Sequence, residues 1–277
     1  MPIAVTEFSP LEQTAFLTAY ARALDNRSPT AILGDEFSDR VVGQIDYDFA
    51  AFRIPASVVR QTALRAKMLD ERVRRYVAAN PEAVVVDLGA GLNEPLARVQ
   101  PPASVDWYSI DLPRVVALRD KLLPAQRAEH VIAADLTSGD WTADIPVGRP
   151  TMVIADGLFA FLSEQQVIEL LGRVIDHFGT GELAFNDYGR VGALSSLAMK
   201  LAPRGMFSVL RHVWANPGFT DPHTPERWDP RLRLVEQACL AHAAEVDSFP
   251  PAARRMTRVA GRFKSLAGKA RVLRYKF

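Results

Sequence analysis

Residues 84–91 read Val-Val-Val-Asp-Leu-Gly-Ala-Gly, and this stretch limits the fold more than any other. Three β-branched residues in a row suit a strand covered on both faces, as in a parallel sheet. Gly89 and Gly91 then let the backbone turn sharply and come close to a ligand. The next stretch, 93–99, has helical character, and Pro95 is tolerated in a first helical turn. A strand, a glycine turn and a helix N-terminus in that order open a nucleotide-binding βαβ unit.

The chain on either side fits this start. Strand-like runs at 83–88, 104–110, 130–134, 151–155 and 182–185 alternate with helical runs at 113–122 and 163–178. A sixth strand is expected at 231–236 and a last one at 269–277. The expected fold is therefore α/β, a doubly wound, mostly parallel seven-stranded sheet. Ahead of it, a capping box at Ser9 and Glu12 opens a helix over 10–24, and 56–79 reads as a long helix stopped by Asn80-Pro81. We expect residues 1–80 to form a helical cap that contributes to the ligand site, and 81–277 to form the core. Residues 189–229 break the rhythm and are expected to be an insertion over the pocket.

Composition narrows the function. A formal net charge of +1 gives no global field for nucleic acid or a membrane, and neither is expected as a partner. The single cysteine, Cys239, excludes an internal disulfide and a cysteine-cluster metal site. No His or acid spacing suggests a metal. The start of the chain lacks a leader pattern, and no apolar run approaches the roughly 20 residues that span a bilayer, so a cytoplasmic protein is expected. The sequence leaves the oligomeric state open.

The glycine turn does not suit a dinucleotide. That fingerprint needs a third glycine where Glu94 stands, and a carboxylate there would repel a pyrophosphate at the helix N-terminus. S-adenosyl-L-methionine keeps the adenosine but has no phosphate. It needs a close backbone approach, a carboxylate for the ribose hydroxyls and a polar partner for the adenine. Four successive strands end in Gly89, Asp111, Asp135 and Asp156, at the edge where open α/β sheets bind ligands. Asp111 can accept from two hydroxyls, and Asp135 with Leu136 can meet the adenine amino group and ring face.

At these residues the chain resembles class I methyltransferases of the leucine carboxyl methyltransferase group, especially the tetracenomycin-type polyketide O-methyltransferases. The matching stretches are Arg65-Ala66-Lys67-Met68-Leu69-Asp70, Val86 through Leu92, Trp107 through Pro113, and Ile154-Ala155-Asp156-Gly157-Leu158, with Ile45-Asp46-Tyr47-Asp48-Phe49 in support. The resemblance implies that Arg65 pairs with the methionine carboxylate and that Gly89 and Gly91 form the turn under the cofactor. It also implies Asp111 at the ribose, Asp135-Leu136 at the adenine, and Asp156 near the methionine amino group. Relatives usually carry Gly-Leu-Asp-Thr-Arg after the turn, whereas this chain has Gly91-Leu92-Asn93-Glu94-Pro95.

The function expected is S-adenosylmethionine-dependent O-methylation of a small aromatic or polyketide-like molecule. Two other readings stay open at this point: a non-catalytic binding protein on the same fold, and carboxyl methylation of a protein terminus. A phenol needs a base where a carboxylate does not. Asp187, Tyr188, His212 and His223 are the candidates for a base or substrate anchor. Near the end, Arg254, Arg258 and Arg262 recur on one side of a basic helix over 251–266, with Met256, Val259 and Phe263 on the other. That run reads as a solvated helix face or a phosphate patch.

Overall fold

The structure, a computed structural model, describes residues 2–5, 7–122, 129–190 and 204–277. Helices α1 (Gln13–Asn26), α2 (Glu36–Gln44) and α3 (Ala56–Ala79) come first, with a two-residue parallel pair, β1 (Ile3–Ala4) and β2 (Ile45–Asp46). The central elements follow as β3 (Val84–Leu88), α4 (Pro95–Val99), β4 (Asp106–Asp111), α5 (Pro113–Leu122), β5 (Glu129–Ala133), β6 (Thr151–Ala155), α6 (Glu164–Phe178) and β7 (Glu182–Asp187). Helices α7 (Met206–Val213) and α8 (Thr224–Trp228) lie in the expected insertion, of which residues 191–203 fall outside the described residues. The chain ends with β8 (Arg233–Cys239), α9 (Pro251–Gly261), α10 (Lys264–Ala267) and β9 (Arg271–Lys276).

The sheet has seven strands in the order β5-β4-β3-β6-β7-β9-β8. The first five pair in parallel, and β9 runs antiparallel to both of its neighbours. The doubly wound reading therefore holds. The chain leaves β3 toward β4 and β5, then returns to β6 on the other side of β3. The crevice between the ends of β3 and β6 is the switch point at which such sheets bind ligands.

Strand alternation divides the core. Val84, Val86 and Leu88 face α6, which buries Val167, Leu170, Leu171, Val174, Ile175 and Phe178. Val85 faces the opposite layer, where α3 places Leu64, Met68, Leu69, Val73 and Val77. Each such side chain contributes about 1.5–3 kcal/mol on full burial. Ser163 caps α6 through a capping box with Gln166. A third core joins α1 and α2 to Leu92, Val115, Leu118, Met206 and Leu210.

Some boundaries differ from those expected. Ser9 and Glu12 do bond reciprocally, but residues 10–12 form a turn and the regular helix begins at Gln13. The single helix expected over 251–266 is two, α9 and α10. It breaks where Gly261 packs so tightly that a Cβ there would lie 3.3 Å from Ala241 Cβ. The sixth strand starts two residues later and runs further, to Cys239.

The segment after the glycine turn is fixed by arginines from other elements. Arg119 of α5, 2% exposed, donates to the carbonyls of Asn93 (2.6 Å) and Gly91 (3.2 Å), and pairs with Glu94 and Glu129. Arg22 of α1 donates to the Leu92 carbonyl at 3.0 Å, and Arg98 to Asn93 Oδ1 at 3.0 Å. Glu94 thus belongs to a buried ion cluster. Replacing Arg119 with Met leaves two buried acids without their cation. We expect a loss of about 3–5 kcal/mol in unfolding free energy, measured by urea denaturation. A loss below about 1 kcal/mol would show that the cluster does not hold the segment.

Candidate active site

A cavity of about 600 Å³ opens at the C-terminal ends of the parallel strands. Arg65, Gly89, Gly91, Asp111, Asp135, Leu136 and Asp156 all line it, as do Asp187 and Tyr188. The residues singled out at four strand ends and on α3 therefore meet in one space.

The turn after β3 owes its shape to its two glycines, with φ of +68° at Gly89 and +56° at Gly91. A side chain at Gly89 would also come within 3.1 Å of Leu158 Cδ1. The Gly91 amide donates to Asp111 Oδ2 at 2.6 Å, and the Leu112 amide to Asp111 Oδ1 at 2.7 Å. Burial pushes the Asp111 carboxyl up, and these two amides oppose the shift. Each Asp111 oxygen keeps acceptor capacity toward the cavity. Asp135 Oδ1 accepts from the Thr137 amide (2.8 Å) and hydroxyl (2.7 Å) in a tight turn after β5.

Arg65 reaches the crevice from the middle of α3. Its Nε lies 2.9 Å from Asp156 Oδ1, close enough for an ion pair but too poorly aligned for a hydrogen bond, and both atoms are buried. Its Nη1 donates to the Tyr188 hydroxyl, and its guanidinium stands 5.7 Å from the centre of that ring. Gly157, at φ +81°, makes room for it: a Cβ there would sit 3.1 Å from Arg65 Nη2. The Gly157 amide is held in turn by Asn186 Oδ1.

The remaining candidates separate. Asp187 lines the cavity, but its Oδ2 accepts from Arg271 Nε at 2.7 Å, and Arg271 is further tied to the carbonyls of Phe219 and Thr220. His212 and His223 are exposed and do not line the cavity; the first accepts from Arg211, and the second faces Glu226 at 3.0 Å. Among the described residues no group of His, Cys, Asp and Glu could hold a metal. The lining also includes apolar side chains, Leu17, Ile54 and Val58 from the N-terminal part and Met206, Leu210 and Trp214 at α7, beside polar Thr14, Thr18 and Gln61.

Sequence reasoning missed Asp87 and Asn186. Asp87 is 2% exposed, lines the cavity, and has no hydrogen-bond partner for Oδ2. Burial pushes its carboxyl up to about 8, with Arg119 opposing. Folding therefore raises this group above its unfolded value of about 3.9. Stability is favoured while the carboxyl holds its proton, and is lost as pH rises from about 4 to about 8. Asp87→Asn removes that dependence. Its unfolding free energy relative to the parent should climb with pH through this window, by on the order of 1 kcal/mol per pH unit. A difference that stays flat from about pH 5 to about pH 8 in denaturant titrations would contradict a protonated carboxyl at this position.

Comparison with known proteins identifies the scaffold. The model of the leucine carboxyl methyltransferase family matches residues 15–175. The tetracenomycin polyketide synthesis O-methyltransferase TcmP of Streptomyces glaucescens is 34% identical over 82% of this chain and 82% of its own. The S-adenosyl-L-methionine-dependent methyltransferase dpfgK of Gibberella zeae is 29% identical over 77% of this chain and 78% of its own. Among solved structures, a Thermobifida fusca protein assigned as a methyltransferase superposes with a TM-score of 0.55 at 18% identity, covering 92% of this chain and 93% of the other. That likeness bears on the fold, which is the Rossmann-like one of these enzymes. The chain belongs to the leucine carboxyl methyltransferase family, and it is a methyltransferase whose cofactor is S-adenosyl-L-methionine.

Proposed function

We propose that the protein methylates an oxygen of a small aromatic, polyketide-like acceptor. The observation that carries this reading is the mixed lining of one cavity. Strand-end carboxylates and the Arg65–Tyr188 pair share it with the apolar side chains of Leu17, Ile54, Val58, Met206, Leu210 and Trp214. A flat apolar molecule suits those side chains. The identity to TcmP, an O-methyltransferase of tetracenomycin polyketide synthesis, supports the same class.

The residues present fit the cofactor. Buried polar atoms without an aligned partner, Arg65 Nε and Asp156 Oδ1, border the crevice and await a polar ligand group. In this reading Arg65 holds the methionine carboxylate and Asp156 lies near the amino group. Asp111 accepts from the ribose hydroxyls. Asp135, with Oδ2 left over by Thr137, meets the adenine amino group beside Leu136. Gly89 and Gly91 allow the close approach. When bound, S-adenosyl-L-methionine supplies an electrophilic methyl group on a sulfonium centre.

The chain's part is alignment and exclusion of water. The Tyr188 hydroxyl accepts from Arg65, which leaves its own proton to donate to the acceptor oxygen. The guanidinium beside it favours that oxygen in its anionic form, so the acceptor binds as the phenolate after its proton has passed to solvent water. Trp214, 5.2 Å from the Tyr188 ring, sets the ring's place in the cavity. Asp187 acts through Arg271 to hold the Phe219–Thr220 backbone. Residues 1–80 contribute Leu17, Ile54 and Val58 to the apolar lining that the acceptor would meet.

The full chain should transfer label from methyl-labelled cofactor to the oxygen of polycyclic phenols, read by mass spectrometry of the small-molecule extract. Tyr188→Phe should lower kcat by about 10²-fold through loss of positioning, with cofactor affinity unchanged. Label found in the carboxyl terminus of an added protein, and in no phenol, would favour the terminal-carboxyl reading instead.

A further inference from the structure

The last helical segment carries a surface that the methyltransferase site does not explain. Nine large hydrophobic residues are exposed among those described, and four of them lie within 256–266: Met256 (72%), Phe263 (55%), Val259 (45%) and Leu266 (44%). Helix α9 buries none of its residues. Met256 and Val259 are three apart on α9 and so share one side of it, while Phe263 and Leu266 follow in the break and in α10. An amphipathic helix on a globular protein normally turns such a side inward. Here the inward face is the small one, where Gly261 packs on Ala241 and its carbonyl lies 2.9 Å from His242 Nε2.

Charge follows these side chains. No acid occurs after Asp247, although the whole chain is nearly neutral at +1. Arg258 is used locally, bonded to Asp247 at 3.0 Å, and Arg254 donates to the Asp247 carbonyl. Arg255 and Arg262 are exposed beside the apolar side chains and enter no ion pair among the described residues. The outward face therefore offers four apolar side chains flanked by free cations.

We propose that this face docks on an anionic lipid surface. A phospholipid interface presents phosphate at the level of the arginines and hydrocarbon just beneath, which matches both halves of the face. The other occupants match only one half. A second copy laid helix against helix would bring cation against cation with no acid after Asp247 to offset them. A nucleic acid would leave Met256, Val259 and Phe263 without an apolar partner, since such interfaces are polar. The contact is peripheral, because no helix among the described residues is long and apolar enough to cross a membrane.

Flotation of the full chain with vesicles tests this. One set holds equal parts of phosphatidylglycerol and phosphatidylcholine, and the other phosphatidylcholine alone. We expect binding to the first set only, weakened by salt. We expect partitioning to fall by about tenfold or more both in Arg255→Glu/Arg262→Glu and in Met256→Ser/Phe263→Ser. All four side chains are exposed, so both variants should keep the parent's thermal unfolding and cofactor affinity. Failure to bind the mixed vesicles would overturn the proposal, as would variants that bind as the parent does. A concentration-dependent dimer that Met256→Ser/Phe263→Ser abolishes, without vesicle binding, would assign the face to a second copy instead.

Discussion

Asp111 ties the ends of two strands together and shapes the ligand crevice. Its carboxylate, at the end of β4, accepts from the Gly91 amide on the turn after β3 and from its neighbour Leu112. A desolvated carboxylate is tolerable there because backbone N–H groups face it. In return it holds open a turn that only glycine can take at two positions. The same atoms retain acceptor capacity toward the cavity, so the bond that shapes the turn also leaves a polar floor. Everything else at the rim is placed relative to this tie: Asp135 one strand further out, Asp156 across the switch point, and Arg65 facing it from α3.

Helix α3 shows how packing and chemistry share one element. Its Leu64, Met68, Leu69 and Val73 pack under the sheet beside Val85, Trp107 and Met152. That contact fixes the helix axis, and Arg65 then projects into the crevice against Gly157. Buried arginines do similar work around the glycine turn. Arg22, Arg98 and Arg119 come from three different helices and converge on residues 91–95. Where the family pattern reads Asp-Thr-Arg, the chain reads Asn93-Glu94-Pro95, with Glu94 2% exposed and facing Arg119 at 3.4 Å. Glu94 is accommodated in a buried ion cluster with Arg119 and Glu129, while Asn93 lines the cavity.

Much of this was legible in the sequence because it rests on local patterns. Consecutive β-branched residues mark buried strands, and acids placed where strands stop fall on one sheet edge once the strands pair in parallel. Ser163 and Gln166 announced a capped helix, and the structure contains it. What stayed hidden depends on three-dimensional company. The Asp187 partner, Arg271, is 84 residues away in the chain, so an acid that resembled a base is an ion-pair member. Asp87 read as one letter of a glycine motif, and its desolvation follows from the other four residues of its strand, all of them buried. The helix over 251–266 read as amphipathic, and the sequence did not show that close packing at Gly261 would leave Met256 and Val259 exposed. His212 and His223 drew notice by residue type and by their place in the insertion, and neither decides whether a side chain faces the cavity or solvent.

The central claim is that the carboxylate at the end of β4 recognises the cofactor's ribose. Isothermal titration of the full chain with S-adenosyl-L-methionine tests it most directly, with Asp111→Ala alongside and its folding checked by circular dichroism. We predict one site per chain in the parent and affinity reduced by about tenfold or more in the folded variant, as expected for a lost pair of hydrogen bonds to a charged acceptor. Equal affinity in the two proteins, or no binding by the parent, would contradict the account.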